Sequence, residues 1–224
     1  GIHLLKIDLN GNILWSKIFP FIPGVYTTPV AIIQSQDNGF IIAGNKGYMG
    51  PNLYVINDSH FLMKVNSTGN FQWLKKYMCP YTFDYLIGIH KTNNGYYVIG
   101  GVDSNYYSNP YRYYFDDFYV FKTDLNGNIL WQKLYGALNQ FEKVVSSKLT
   151  FDGGLILVGD YDTTRQSSYY NSNRKIMLVK MDSTGTIQWS KKYTGHYSYV
   201  NDPFTDYYSA SCINVCNDNG YIIS

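Results

Sequence analysis

Charge is scarce in this chain: 15% of its 224 residues are Asp, Glu, Lys or Arg, and they balance to +2. Nucleic acid and anionic membrane surfaces are both met by basic stripes, so this balance argues against either as a partner. Long apolar runs are missing too, and no helical membrane insertion is expected. Histidine is confined to His3, His60, His90 and His196, none of which recurs in phase with a Ser–Asp pair, so no catalytic triad is read. Cysteine is limited to Cys79, Cys212 and Cys216. Cys212 and Cys216 fall four apart in an expected strand, on one face but too far apart to bond at normal strand rise. A zinc site would need tighter spacing and more ligands, so buried free thiols are expected, with no metal and no cofactor.

What is abundant is tyrosine, with 24 against 12 phenylalanines, and what is rare but regular is tryptophan. The four tryptophans, Trp15, Trp73, Trp131 and Trp189, follow one another at a constant spacing of 58 positions. Each closes a phrase that runs Lys, then Asp or Asn two positions on, then Gly, then Trp, as in Lys122-Thr-Asp-Leu-Asn-Gly-Asn-Ile-Leu-Trp-Gln-Lys133. The other copies span Lys6 to Lys17, Lys64 to Lys75 and Lys180 to Lys191. Two strand-like runs flank a Gly suited to positive φ, so each copy predicts a β-hairpin. Alternate residues of the second arm share a face, giving Trp73, Lys75 and Tyr77, then Trp131, Lys133 and Tyr135. The inward lysines, Lys17, Lys75, Lys133 and Lys191, are expected to protect an edge strand beside a carboxylate neighbour. Asp8 and Asp124 resemble the start of a calcium loop, but its twelfth positions are Phe19 and Tyr135 where Glu is needed, so turn chemistry accounts for them better.

A second hairpin lies between successive tryptophan hairpins, at Val30 to Gly44, Leu86 to Gly100, Val144 to Gly159 and Ser211 to Ser224. Its turns, such as Asp37-Asn-Gly39 and Asp152-Gly-Gly154, are strong hairpin signals, and its second arms are apolar on both faces. One repeat is therefore four strands, a to d. A four-stranded sheet with two greasy faces cannot stand alone, and repetition at a fixed period predicts an all-β fold, a β-propeller of about four blade-equivalents. The repeats are a half blade c–d at 1–19, full blades at 25–77, 84–135 and 141–193, and a half blade a–b at 209–224, all in one domain. The chain opens and closes inside expected strands, so the reading is a piece of a larger propeller. Pairing of Tyr221 to Ile223 with Leu4 to Ile7 would instead mark a closed ring.

The phrases Asp-Gly-Gly-Leu-Ile-Leu-Val-Gly159 and Leu-Val-Lys-Met-Asp-Ser-Thr-Gly-Thr-Ile-Gln-Trp-Ser-Lys-Lys-Tyr193 resemble the β-propeller repeats of large secreted or cell-surface bacterial and archaeal proteins, often type IX secretion cargo. More distantly they are similar to quinoprotein-like propeller repeats. The resemblance covers essentially the whole chain and implies the fold and an extracellular or cell-surface location. Here the loops are longer and richer in Tyr than is usual for such repeats.

In such blades the a–b and c–d turns share one end and the b–c and d–a connections share the other. The first set is tight throughout. The second set is long and varied: 45–59, 103–117 and 160–175 for b–c, and 194–208 for the longest d–a link. Variation at one end of a regular scaffold is how binding surfaces arise. The candidate binding face is Tyr106, Tyr107, Tyr111, Tyr113, Tyr114, Tyr169, Tyr170, Tyr199, Tyr207 and Tyr208, interleaved with Ser, Asn and Asp. Tyrosine offers large contact area at small entropic cost, a composition suited to protein or glycan surfaces. The expectation is a non-catalytic binding or scaffold module. Two alternatives are a propeller enzyme, quinoprotein-like or glycan-active, with its site at the ring centre, and a structural spacer.

Overall fold

The computed structural model describes residues 1–20, 25–49, 55–78, 85–103, 116–136, 141–162, 175–193 and 209–224. These residues hold sixteen strands and no helix. In chain order they are β1 (Ile2–Ile7), β2 (Ile13–Phe19), β3 (Val25–Gln34), β4 (Phe40–Met49), β5 (Val55–Val65), β6 (Phe71–Met78), β7 (Tyr85–Thr92), β8 (Gly95–Asp103), β9 (Asp116–Thr123), β10 (Ile129–Tyr135), β11 (Phe141–Leu149), β12 (Leu155–Asp162), β13 (Lys175–Met181), β14 (Ile187–Tyr193), β15 (Ile213–Val215) and β16 (Tyr221–Ile223). They make three four-stranded sheets, ordered β3-β4-β5-β6, β10-β9-β8-β7 and β11-β12-β13-β14, and two two-stranded ones, β1-β2 and β15-β16. The tryptophan-bearing strands β6, β10 and β14 are sheet edges, as a blade requires. Among the described residues β1 pairs with β2 and β16 with β15, each as a two-stranded sheet.

The chain divides into two compact units, one of residues 1–98 with 122–130, the other of residues 99–121 with 131–224. In the first, the half sheet β1-β2 lies on sheet β3–β6 through Ile2, Leu4, Ile42, Phe61, Met63 and Val65, with Trp15 and Phe19 packed at the rim. In the second, sheet β11–β14 meets β15-β16 through Ile156, Val158, Leu178, Ala210 and Ile213, with Trp189 and Tyr221 alongside. The second strands are buried on both faces: β12 carries no exposed residue, and Tyr96 to Ile99 of β8 are fully covered. Each such apolar side chain stabilises the fold by about 1.5–3 kcal/mol on burial.

The c–d turns explain why the repeated phrase is so strict. Asp124 Oδ1 accepts from the backbone N–H groups of Asn126 and Asn128 at 2.9 and 2.8 Å, and Asn128 Nδ2 donates to Oδ2 at 2.8 Å. Gly127 follows at φ +78°, a left-handed conformation that other L-residues resist. Asp8 and Asp182 build the same turn. At the a–b turns the short side chain of Asn38 takes the positive φ instead, at 61°.

These turns are then gripped by the preceding sheet. In the first unit, Trp15 lies 2.9 Å from where a Cβ on Gly69 would stand, and Trp73 lies 3.0 Å from the equivalent point on Gly127. In the second, Trp131 sits 2.8 Å from that point on Gly185. The Tyr77 hydroxyl donates to Gly127 O at 2.7 Å and that of Tyr135 to Gly185 O at 2.6 Å. Lys75 donates to Asn128 Oδ1 and Lys133 to the Thr184 carbonyl, each at 3.0 Å. The expected carboxylate neighbour is thus corrected: these lysines bond to an amide and a carbonyl of the next turn, and Asp124 and Asp182 feel their charge only at longer range. The cysteine expectation is corrected as well. Cys212 and Cys216 flank the short strand β15, with free thiols that are exposed and half-buried respectively, while Cys79 lies outside the described residues.

Candidate functional site

All ten tyrosines of the expected binding face fall in 104–115, 163–174 and 194–208, outside the described residues. What is described in each unit is a set of buried polar side chains next to the start of these connections in the sequence. The strands also run further into the first connection than expected, since β4 continues to Met49 and β5 begins at Val55. Sheet hydrogen bonding continues as long as two strands can pair, and Tyr48 opposite Ile56 still does.

The set begins one residue beyond the glycine that closes each second hairpin. In the first unit that residue is Asn45, 8% exposed. Its Oδ1 accepts the backbone N–H of Leu86 at 3.2 Å and lies 3.0 Å from His60 Nδ1. Asn45 and His60 face each other across β4 and β5, so the amide ties its own sheet to the first strand of the next. Burial lowers the His60 pKa to about 4, leaving a neutral imidazole at pH 7.

In the second unit the same position is Asp160, 3% exposed. Its Oδ1 accepts the Ala210 N–H at 3.0 Å and its Oδ2 accepts from Ser209 Oγ at 2.9 Å. Across the sheet it pairs with Lys143 in backbone register. Tyr161, next along β12, carries Lys192 Nζ over its ring, 3.2 Å from the centroid. Asp162 and Glu142 are buried beside them. Glu142 Oε2 and Asp117 Oδ1 both crowd the point where a Cβ on Gly136 would stand, so a larger residue there would push these carboxylates aside.

Sequence reasoning passed over Glu142 and placed Asn45, Asp117 and Asp160 only as bounds of the long connections. The signal for Asn45 and Asp160 was present, because Gly44-Asn45, Gly100-Gly101 and Gly159-Asp160 are in phase, and a buried polar residue at a repeated position implies a repeated hydrogen bond. Gly101 has no side chain to make it. Chemically, Asp160 spends both oxygens on structure. Asp117 and Glu142 stand closer together than the roughly 5–5.5 Å of a retaining glycosidase pair, and well short of the roughly 6.5–9.5 Å of an inverting one. Asn45 and Asp160 thus tie their own sheets to backbone at the start of the next.

No family model matches this chain, and no curated protein matches it by sequence. Solved structures do match in fold. One is a GH43 β-xylosidase/α-arabinofuranosidase from a compost microbial metagenome, CoXyl43, in complex with xylotriose in its calcium-free form; it superposes with a TM-score of 0.53 at 8% identity, over 88% of this chain and 69% of its own. A GH43_1 enzyme from Xanthomonas citri matches at TM-score 0.51 and 8% identity, and its xylotriose complex at 0.50 and 8%. For both, the match covers 77% of this chain, which spans 57% of theirs. These neighbours are five-bladed β-propeller glycosidases. With four-stranded antiparallel sheets, edge tryptophans and this fold likeness together, the chain is an all-β protein of the β-propeller type, with three four-stranded and two two-stranded sheets among the described residues.

Proposed function

We propose that this chain is part of a glycan-active β-propeller, and that carbohydrate meets it at the long-connection end of its blades. The observation that carries the reading is the fold likeness to GH43 glycosidases, two of them in complex with xylotriose. Within the second unit, the buried acidic residues Glu142 and Asp160 near the start of the long connections are consistent with it. The loop tyrosines add flat apolar faces of the kind that sugar rings stack on. Xylotriose, aryl β-xylosides and aryl α-arabinofuranosides are incubated with the protein, and products are followed by chromatography while ligand binding is followed by NMR line broadening. Release of shorter sugars, reduced in Glu142→Gln, is the expected result. A folded protein that neither binds nor cleaves any of them sinks the reading.

A second reading, glycan or protein capture without cleavage, is favoured by the commitment of both Asp160 oxygens and by the closeness of Asp117 to Glu142. Capture without product release selects it. In that case simultaneous replacement of Tyr111, Tyr113 and Tyr114 by Ala abolishes capture on a glycan or surface-protein array and leaves folding intact, whereas unchanged capture rejects it.

A further inference from the structure

One of the four c–d turns carries a different head group. Asp8, Asp124 and Asp182 open the turns of the first, third and fourth copies, and Asn66 opens that of the second. Asn66-Ser67-Thr68 thereby reads Asn-x-Thr, the acceptor pattern for an N-linked glycan, and Asn57-Asp58-Ser59 reads Asn-x-Ser. The sequence holds no other match to the pattern.

The fold treats the two differently. Ser59 lies within β5 and is 2% exposed, so its hydroxyl cannot meet an enzyme unless the strand leaves its sheet. Asn66 instead heads a surface turn in which Ser67, Thr68 and Asn70 are exposed. Its Oδ1 accepts from the Thr68 N–H at 3.1 Å, from Thr68 Oγ1 at 2.9 Å and from the Asn70 N–H at 2.8 Å. Asn70 Nδ2 donates in turn to Thr68 Oγ1 at 3.2 Å, so a relay of donors ends on one amide oxygen. Three donors on Oδ1 favour negative charge there, and the Nδ2 protons become easier to lose. Among the described residues Nδ2 itself makes no hydrogen bond, and it is not sealed from solvent.

The fourth turn shows that this nitrogen is surplus to folding. Thr184 N–H and Oγ1 donate to Asp182 Oδ1 at 2.8 and 2.7 Å, and the Thr186 N–H does so at 2.9 Å. A carboxylate therefore heads the same turn with the same bonds.

We propose that Asn66 is an acceptor site for an N-linked oligosaccharide, presented by the folded turn with Thr68 as its positioning residue. The donor class is an oligosaccharide joined through pyrophosphate to a lipid. Asn66 Nδ2 attacks the anomeric carbon of the linking sugar and forms the C–N bond. The bond from that carbon to the phosphate oxygen breaks, and the lipid pyrophosphate leaves with its electron pair. One Nδ2 proton passes to a base of the transferase. The site carries glycan covalently on a c–d turn, apart from the long connections, so it stands independently of the carbohydrate-binding reading above.

The folded chain is incubated with a lipid-pyrophosphate-linked oligosaccharide and a membrane-bound transferase preparation shown to glycosylate a free Asn-x-Thr peptide. Intact mass is expected to rise by one oligosaccharide, and peptide mapping to locate it on Asn66. Asn66→Asp, which copies the Asp182 turn, and Thr68→Ala lose the modification. Thr68→Ser keeps it, and Ser59→Ala leaves it unchanged. Asp182→Asn, which writes Asn-Ser-Thr into the fourth turn, gains a second oligosaccharide. Circular dichroism shows that each variant keeps its β structure. No mass shift in the folded parent, attachment at Asn57, or an Asp182→Asn chain that stays at one oligosaccharide overturns the proposal.

Discussion

The Tyr77 hydroxyl donates to the Gly127 carbonyl at 2.7 Å, fifty positions along the chain. Both groups are shielded from water, and burial holds the Tyr77 phenol well above its ordinary pKa, so it remains a donor at any working pH. Tyr77→Phe leaves a buried carbonyl without this donor and is expected to cost about 1–2 kcal/mol. Urea unfolding followed by tryptophan fluorescence measures it, and an unchanged midpoint refutes the account.

Two glycines with the same backbone strain separate conformation from packing. Gly11 and Gly127 lie at φ +84° and +78°, but only Gly127 has an indole and a phenol against it. Gly11→Ala therefore costs about 1 kcal/mol for the left-handed conformation. Gly127→Ala costs that plus displacement of Trp73 and Tyr77, so its denaturation midpoint falls clearly further. Equal losses in the two variants would show that the grip contributes nothing.

His60 makes stability depend on pH in the mildly acidic range. Its pKa falls from 6.5 to about 4 through burial, so between those values the unfolded chain binds the proton and the folded chain does not. Stability is therefore complete above pH 6.5 and declines as pH falls to 4, by about 3 kcal/mol. His60→Gln lowers overall stability but flattens that slope. The check is the His60 imidazole resonance, which holds its neutral shift until the pH nears 4.

Asp37 acts at lower pH. The Lys64 ammonium, with Ser35 Oγ beside it, holds the Asp37 carboxyl down at about 2 from 3.8. The pair's contribution is full above pH 3.8 and is lost as pH falls towards 2. Asp37 is 46% exposed, so the loss stays below about 1 kcal/mol. Thermal unfolding of Asp37→Asn against the parent should differ at pH 5 and converge near pH 2.

The second full repeat offers a gain. Its a–b turn has Asn94 where the others have Asp37 and Asp152, although Thr92 Oγ1 still bonds to Asn94 Oδ1 at 3.0 Å. Lys122, in phase with Lys64 and Lys180, instead lies over the Tyr97 ring at 4.9 Å, and burial lowers its pKa. Asn94→Asp supplies a carboxylate there and is expected to stabilise the protein by about 0.5–1 kcal/mol, read as a raised denaturation midpoint.

The sequence by itself determined the blades. A period of 58 in tryptophan, turn glycines at fixed offsets and strands apolar on both faces are local patterns, and backbone sterics and burial act on them wherever the chain goes. Tertiary structure decided what each repeated side chain does. Lys75 and Lys133 read as edge guards, yet they reach across to the next turn, because only stacking brings Asn128 and Thr184 within reach. Asn45 and Asp160 read as loop residues, yet they are buried ties, because the backbone N–H groups of Leu86 and Ala210 that they satisfy come from the following sheet. A sequence shows which residues repeat; partners distant along the chain are fixed only when one sheet lies on the next.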